Sequence, residues 1–381
     1  MGEMTSRERF WKAINHQEPD RVPIDVGQDM HNGIHEIAYK NLLNYLGEED
    51  EIKLYDQMQH LATCKESILN LLHADTRYIF ANPAEGFELK IDEDKSWLDE
   101  WGVRRKNFGL YDDNVARPLE GCTLEEVKKY KVPDPVDSGR FKGLREKAEF
   151  LYNNTEYAII GANAASLFFL SSELMGFQEY MEKIALEPLL VETLVDKILE
   201  WEIAFFDKYL DAIGDYTQMF WMGDDWGMQL GPIMNPRTFK EIFVKRYKIF
   251  TDFVKKKANV KIALHCCGSI TWAMDDLFEA GIDVIHPLQA DAYDMGDPKK
   301  LKESFGKKLV FYSNLSNQTI IPYGTPEEVK AEVIEKIKWL APGGGYIISG
   351  GHNIQADVPP ANIIALFDTA YKYGRYHHRA K

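Results

Sequence analysis

A histidine and a cysteine two residues apart end one apolar run of the chain, within the stretch KIALHCCGSITW at 261–272. In an extended strand, side chains at positions i and i+2 point to the same side, so His265 and Cys267 face one way and Cys266 the other. Imidazole nitrogen and thiolate sulfur are ligands that suit zinc, and Gly268 permits a tight turn around an ion. The spacing therefore favours a metal site on one face, with Cys266 as a small buried residue behind it.

Two ligands do not make a zinc site, and a histidine and a cysteine also occur together as packed or hydrogen-bonded core residues. A third candidate is His352, which follows a later apolar run in the stretch GGHN. A third protein ligand from a different strand, with the fourth position left for water or substrate, is the arrangement of a catalytic zinc site. The proposed metal ligands are therefore His265, Cys267 and His352.

These residues must be positioned by strands, and eight short apolar runs alternate with helix-length amphipathic segments. Such alternation predicts parallel strands with helical crossovers, and eight units predict an α/β fold that closes into a (β/α)8 TIM barrel. A doubly wound open sheet is the alternative. The predicted strands are Val22–Val26, Tyr78–Phe80, Tyr157–Ile160, Tyr216–Met222, Val260–His265, Asp283–Ile285, Leu309–Tyr312 and Tyr346–Ser349. The clearest helices cover 188–213, 236–257, 270–280, 326–340 and 360–374.

The chain before residue 150 departs from this alternation. A capping box from Thr5 to Glu8 predicts an N-terminal helical extension, which ends at the prolines of HQEPDRVP. The stretch DEDKSWLDEWGVRRKNFG looks like a hairpin insertion rather than a crossover. Because no linker rich in Gly, Pro or Ser divides the chain, we expect a single domain over residues 1–381.

Polar side chains follow the later runs, at the strand ends where a β/α barrel builds its active site. Asp224 and Asp225 follow the fourth run, and we expect them to act in catalysis, either as a further metal ligand or by orienting substrate. A helix N-cap or a loop salt bridge is the alternative for both. His286 precedes Pro287 and is interpreted as structural.

A second group of side chains near this rim is predicted to contact substrate. Amides at strand ends also satisfy loop backbone, and aromatic side chains also fill cores, so each residue has a structural alternative. The predicted substrate-binding residues are Trp221, Gln289, Asn314, Tyr312 and His31.

The composition excludes several classes of protein. With 45% hydrophobic and 28% charged residues, the chain has the composition of an ordinary globular protein. Its net charge of −15 disfavours nucleic acid or an anionic membrane as a partner. The first residues lack the apolar core of a signal peptide, and no window approaches the roughly 18 apolar residues that span a bilayer. Four cysteines, two of them adjacent, do not form a disulfide framework, so we expect a cytoplasmic protein.

Several stretches together resemble the uroporphyrinogen decarboxylase superfamily, and more narrowly its cobalamin-dependent methyltransferase branch. They are DRVPID, GDDWGMQLGPIMNPRTFKEI, HCCGSI, GIDVIHPLQ, GTPEEV and GGHNIQADVPPANI. In that branch a His-x-Cys pair and a later cysteine hold zinc; His265 and Cys267 match the pair, and His352 stands in place of the later cysteine. The decarboxylases have a Gly-His in that segment, so His352 alone does not choose between the two.

Two absences separate this chain from uroporphyrinogen decarboxylases themselves. Those enzymes begin with an arginine-rich segment that binds substrate carboxylates, whereas the corresponding stretch here, IDVGQDMHNGIHEIAYK, contains no arginine. Their catalytic aspartate also has no counterpart in YIFANPAEGF. A substrate with many carboxylates would moreover meet a strongly acidic protein.

The resemblance implies a zinc-dependent methyltransferase that moves a methyl group between a small substrate and the corrinoid (cobalamin) of a separate protein. The substrate is a methyl ether or related donor, as in O-demethylation, or a thiol acceptor. The chain lacks a D-x-H-x-x-G corrinoid motif, since Asp29, His31 and Gly33 come one residue short, so the corrinoid is expected on a partner protein. A metal-free lyase or decarboxylase, a non-catalytic binding barrel, and a homodimeric assembly stay open.

Overall fold

A computed structural model describes residues 3–376. Seven parallel strands form one sheet. Numbered by the eight predicted runs, they are the second to the eighth strands, and each lies beside the next one in the chain. From second to eighth they are Thr76–Ile79, Ala158–Ala165, Met219–Gly223, Lys261–His265, Val284–His286, Val310–Tyr312 and Tyr346–Ile347.

Residues 22–26 join the two edges of this sheet. Ile24 forms a parallel bridge with Ile348, and the backbone N–H of Asp25 donates to the carbonyl of Ile348 at 2.9 Å. On the other side, the N–H of Asp75 donates to the carbonyl of Ile24 at 2.8 Å. This segment takes the place of the first strand and closes the barrel, so the predicted TIM-barrel fold is confirmed.

Helices surround the sheet, and the long ones lie where they were predicted. Two differ in detail: the segment 236–257 contains a π-helical turn at Lys240–Val244, and the helix predicted at 270–280 covers only Met274–Glu279, after turns at 271–273. The α-helices of the described residues are Ser6–Ile14, Glu36–Leu46, Glu66–Leu71, Leu124–Lys129, Leu144–Asn154, Phe168–Met175, Phe177–Leu186, Pro188–Ile213, Pro236–Phe239, Lys245–Lys257, Met274–Glu279, Pro298–Phe305, Ile320–Tyr323, Pro326–Leu340 and Pro360–Tyr373. Within residues 3–376, no helix combines the length and the apolar character that crossing a bilayer requires.

The interior of the barrel is an apolar core of its own. Each strand sends inward one to three side chains that contact those of its neighbours, and the N-terminal helix covers one end with Phe10 and Ile14. The capping box at Thr5 and Glu8 that starts this helix is present. The barrel members of the core are Tyr78, Ala158, Ile160, Ala162, Met219, Trp221, Ala263, Val284, Val310, Tyr312 and Ile347.

The predicted insertion before residue 150 forms an antiparallel sheet. Ser96–Leu98, Arg104–Asn107 and Asp112–Ala116 pair in that order. A small hairpin, Leu54–Asp56 with Leu61–Ala62, precedes it. The N–H of Asp112 donates to the carbonyl of Met58 at 2.9 Å, which ties the insertion to the loop of this small hairpin.

Candidate metal and substrate site

Three side chains with metal-ligating atoms meet at the carboxyl end of the barrel. His265 ends the fifth strand, and His352 lies in the loop after the eighth. Their ligating atoms and the Cys267 sulfur lie within 4.8 Å of one another, and Cys267 Sγ is 3.4 Å from His265 Nε2. Gly268 adopts φ +83°, a left-handed conformation that lets the chain turn directly after Cys267.

The chemistry of this cluster fits a zinc ion. Burial raises the pKa of the Cys267 thiol well above the usual value of a cysteine. It lowers the pKa of His265 well below the usual value of a histidine. Burial, with the nearby His31 ring, also lowers the pKa of His352 to about 4. Two neutral imidazoles therefore offer nitrogen lone pairs beside a thiol, and a bound dication would supply the charge that stabilises the thiolate.

His352 requires one adjustment to act as a ligand through Nε2. Its Nδ1 accepts a hydrogen bond from the backbone N–H of Asn353 at 2.7 Å. A neutral ring that accepts at Nδ1 carries its proton on Nε2. To hold an ion at Nε2, His352 would have to carry its proton on Nδ1 instead and give up the hydrogen bond from Asn353.

Asp225 lies beside the cluster. Its Oδ1 accepts a hydrogen bond from the backbone N–H of Cys267 at 2.7 Å and lies 3.9 Å from His265 Nε2. Burial raises the pKa of this carboxyl group, and 42% of the side chain stays accessible on the cavity side. Asp225 can therefore orient the Cys267 backbone and offer an oxygen near the ion.

The adjacent Asp224 is used differently. Its carboxylate is buried and accepts hydrogen bonds at the start of the helix Phe168–Met175, which matches the structural alternative considered for this residue. Its donors are the hydroxyls of Ser166 at 2.9 Å and Tyr247 at 2.5 Å and the backbone N–H groups of Leu167 at 3.0 Å and Phe169 at 2.7 Å.

A cavity of about 290 Å³ opens onto the cluster. Its wall is mostly apolar, and neither lysine nor arginine is among the described residues that line it. The insertion contributes part of the wall, so the cavity is bounded by the barrel rim and by the added sheet. The lining residues are Met30, His31, Met58, Gln59, Tyr111, Asp112, Ser166, Phe169, Gly223, Asp224, Asp225, His265 and His352.

His31 also lines the cavity, next to His265. Its ring stacks on His265 with centroids 4.5 Å apart, and its Nδ1 lies 3.2 Å from Asp29 Oδ1. Gly223 makes room for it, since a Cβ there would lie 2.1 Å from His31 Nε2. The glycine that ends the fourth strand thus permits an imidazole to sit against the barrel mouth.

The other predicted substrate-binding residues do not line this cavity. Trp221 and Tyr312 are fully buried inside the barrel, and the Tyr312 hydroxyl donates to Asp25 at 2.5 Å. Gln289 Oε1 accepts from the backbone N–H of Gly268 at 2.7 Å. The Asn314 amide donates to two loop carbonyls, those of Leu288 and Met295, each at 2.8 Å.

Some cavity residues were not predicted from the sequence. Met58, Gln59, Tyr111 and Asp112 belong to the region before residue 150, where no strand alternation indicates which residues face the mouth. Phe169 follows the third strand, so the expectation that cavity residues follow the barrel strands could have identified it.

Comparison with known proteins identifies relatives. The family model for uroporphyrinogen decarboxylase (URO-D) matches residues 114–373. The uroporphyrinogen decarboxylase of Chlorobium limicola is 26% identical over 403 residues, covering 98% of this chain and 100% of that protein. That of Pseudoalteromonas atlantica is 22% identical over 197 residues, and the match spans about half of each chain, 51% in both.

Among solved structures, a methyltransferase from Methanosarcina mazei superposes with a TM-score of 0.68. The match covers 97% of this chain and 99% of that one, at 19% sequence identity. The two proteins therefore share their fold over nearly their whole lengths.

Proposed function

Because the chain belongs to the uroporphyrinogen decarboxylase family, we propose that it is a zinc-dependent methyltransferase acting between a small substrate and the corrinoid of a separate protein. The observation that carries this proposal is the cluster of His265, Cys267 and His352 at the end of a small, mostly apolar cavity. The name of the Methanosarcina mazei neighbour supports it. We assign this activity to the whole chain, 1–381, as one cytoplasmic domain, without excluding a homodimer.

The proposed ligands define what an ion would do here. His265, Cys267 and His352 would hold zinc, which acts as a Lewis acid on an ether oxygen or binds a thiol substrate as its thiolate. Asp225 would keep the Cys267 backbone in place through its hydrogen bond and lies near enough to contribute an oxygen. Asp224 would act indirectly, by holding the loop after the third strand.

The cavity favours a small methylated substrate over a tetrapyrrole. Met30, Met58 and Phe169 form apolar wall, which suits a methyl ether, so we favour O-demethylation over methyl transfer to a thiol. A substrate with several carboxylates requires cations, and none of the described lining residues is lysine or arginine.

His31 would move the proton that ether cleavage requires. Removal of a methyl group from an ether leaves an alkoxide or phenoxide, which must be protonated. His31 lies in the wall beside His265, and Asp29 Oδ1 lies 3.2 Å from its Nδ1 without forming a hydrogen bond to it. We assign to its Nε2 the transfer of a proton to the leaving oxygen. Trp221, Tyr312, Gln289 and Asn314 would support the site from below and from its loops rather than contact the substrate.

Metal content tests this proposal directly. Protein purified without chelators is expected to contain close to one zinc per chain, with the ion lost or weakened in Cys267→Ala and His352→Ala. Cys266→Ala is the matched control, because Cys266 is the adjacent cysteine and lies outside the cluster. A wild type that takes up no zinc when it is supplied would overturn the proposed mechanism.

Turnover tests the second half of the proposal. Methyl ethers are incubated with the enzyme and a reduced corrinoid protein, and demethylated product is expected only when both proteins are present. The curated relatives are decarboxylases, so the competing function is a metal-free lyase. Release of carbon dioxide from a small carboxylic acid by zinc-free protein would favour that alternative.

A further inference from the structure

A further buried histidine, His286, contacts the proposed ligand His265 at the ring nitrogen Nδ1. The two residues are opposite each other in register on the sixth and fifth strands. Their Nδ1 atoms are 2.9 Å apart, and His286 is fully buried. Contact of two imidazoles through the same kind of nitrogen is chemically restrictive, because one nitrogen must carry a proton and the other a lone pair.

Only one of the two proton arrangements leaves His265 ready to bind a metal at Nε2. If His265 Nδ1 carries the proton and donates to His286, Nε2 of His265 has a free lone pair beside Cys267 Sγ. If His286 Nδ1 donates instead, the neutral His265 ring carries its proton on Nε2, which blocks coordination. The hydrogen bond between the rings thus decides whether His265 can act as a ligand.

Few other groups compete for the two rings. His265 Nδ1 has His286 as its hydrogen-bond partner, and His286 Nε2 has no partner within residues 3–376. The His286 ring is instead enclosed by Trp221 and Tyr312, with ring centroids 5.3 and 5.2 Å away. These rings pack around His286, and neither the Trp221 indole N–H nor the Tyr312 hydroxyl forms a hydrogen bond with its Nε2.

We propose that His286 is a positioning residue that accepts a hydrogen bond from His265 Nδ1 and thereby keeps His265 Nε2 deprotonated for the metal. The role in metal binding and the choice between the two proton arrangements rest on the proposed zinc function, whereas the hydrogen bond between the two rings is observed independently of it. Metal-ligating histidines generally donate their second ring nitrogen to a partner, and loss of such a partner costs roughly 10- to 100-fold in metal affinity. His286 would be that partner, with an imidazole in place of the more common carboxylate or carbonyl.

The tautomer is tested without any metal. Long-range ¹H–¹⁵N spectra of the chelator-treated, ¹⁵N-histidine-labelled full chain distinguish a protonated Nδ1 from a protonated Nε2, and loss of signals in His265→Gln assigns the ring. We expect His265 to be protonated at Nδ1 in wild type and to become a mixture of tautomers in His286→Leu. In His286→Asn, Oδ1 stands the same number of bonds from Cα as Nδ1 did, and Nδ1 protonation should return. Wild-type His265 protonated at Nε2 would overturn the proposal.

Metal affinity is the second readout, measured as zinc binding in competition with a chromophoric chelator. His286→Leu should weaken zinc binding roughly 10- to 100-fold, while His286→Asn stays close to wild type. His73→Leu is the control for loss of an imidazole elsewhere, because His73 stacks on Tyr371 and does not belong to the cluster. Equal affinity in wild type and His286→Leu, or equal loss in the leucine and asparagine variants, would contradict a hydrogen-bonding role. If wild type binds no zinc, the proposed function fails, and the tautomer measurement still decides the role of His286.

Discussion

Two adjacent aspartates at the end of the fourth strand show how residues of one type take different tasks. Asp224 accepts four hydrogen bonds in a buried position, whereas Asp225 accepts one and faces the cavity. Both follow the strand where catalytic residues of a barrel are expected. The two carboxylates differ in the backbone N–H groups that they accept from: Asp224 accepts from Leu167 and Phe169, and Asp225 from Cys267.

The two aspartates should therefore respond differently to substitution. Asp224→Ala leaves the Tyr247 hydroxyl and two backbone N–H groups without their acceptor, so the free energy of unfolding should fall by about 3 kcal/mol. Asp225→Ala should change it by less than about 1 kcal/mol, because its single hydrogen bond lies at the edge of the cavity. Urea titrations of the two variants measure both values. Equal destabilisation would contradict the separation of roles.

At the level of secondary-structure elements, the N-terminal helix is fixed to the barrel by a buried carboxylate. Asp75 Oδ1 lies 2.7 Å from Arg9 Nη1, and Asp75 Oδ2 lies 2.7 Å from Arg21 Nη1. The same carboxylate accepts from the Ser6 hydroxyl at 2.7 Å and from the N–H of Ile24 at 2.8 Å. One aspartate thus connects the helix, the closing segment and the second strand.

Removal of this carboxylate should be costly. Asp75→Ala leaves the buried Arg21 guanidinium without its carboxylate partner, while Arg9 keeps Asp20, and loss of one member of a buried ion pair typically costs about 3–5 kcal/mol. We expect a decrease of that size in the free energy of unfolding, measured in urea. Asp252→Ala breaks an exposed pair with Lys248 and should cost less than about 1 kcal/mol. A small effect of Asp75→Ala would mean that other contacts hold the helix.

The inserted sheet is joined to the rest of the molecule through His60, which lies between two carboxylates. His60 Nδ1 lies 2.8 Å from Glu36 Oε1, and its Nε2 lies 2.8 Å from Asp112 Oδ1. Burial lowers the pKa of His60, but the hydrogen bonds to Asp112 and Glu36 outweigh it, so the net shift is upward from 6.5. Asp112 also accepts from Trp97 Nε1 at 2.5 Å, which extends the contact into the inserted sheet.

This contact should weaken as the pH rises above 6.5. A group whose pKa is higher in the folded protein stabilises it fully below its unfolded pKa, and the gain is lost as the pH rises through the folded pKa. Amide hydrogen exchange of residues 104–116, corrected for intrinsic chemistry, should therefore accelerate as the pH rises from 6.5 through the pKa of His60 in the folded protein. The pKa of Asp112 is lowered, so its own contribution is lost only under acid conditions, below about 3.8. In His60→Gln the acceleration should disappear. The same alkaline change in that variant would rule out His60 as its source.

For the molecule as a whole, the sequence predicted the barrel better than it predicted the cavity. Eight apolar runs identify the strands because parallel strands that are buried on both faces must be apolar throughout. His265 and Cys267 follow from strand periodicity, and His352 from its place after the last run. The structure brings these three together, while their role as metal ligands stays a prediction.

The wall of the cavity could not be derived in the same way. Polar residues at strand ends can face substrate or satisfy buried backbone groups, and Gln289 and Asn314 do the latter. The inserted sheet supplies Tyr111 and Asp112 through contacts between segments distant in sequence, for which the periodic pattern holds no information. The predicted insertion was found, but its position over the mouth depends on tertiary packing.

The proposed ligands come from the fifth and eighth strand ends and meet only in the closed barrel, so ion binding should stabilise the whole fold. A ligand at a thousand times its dissociation constant contributes about 4 kcal/mol, which for a chain of this length raises Tm by about 5 °C. Differential scanning calorimetry of wild type and Cys266→Ala should show this rise with zinc but not with magnesium, since magnesium prefers oxygen ligands. Cys267→Ala should lose most of it. An equal rise in Cys267→Ala would place the ion elsewhere in the molecule.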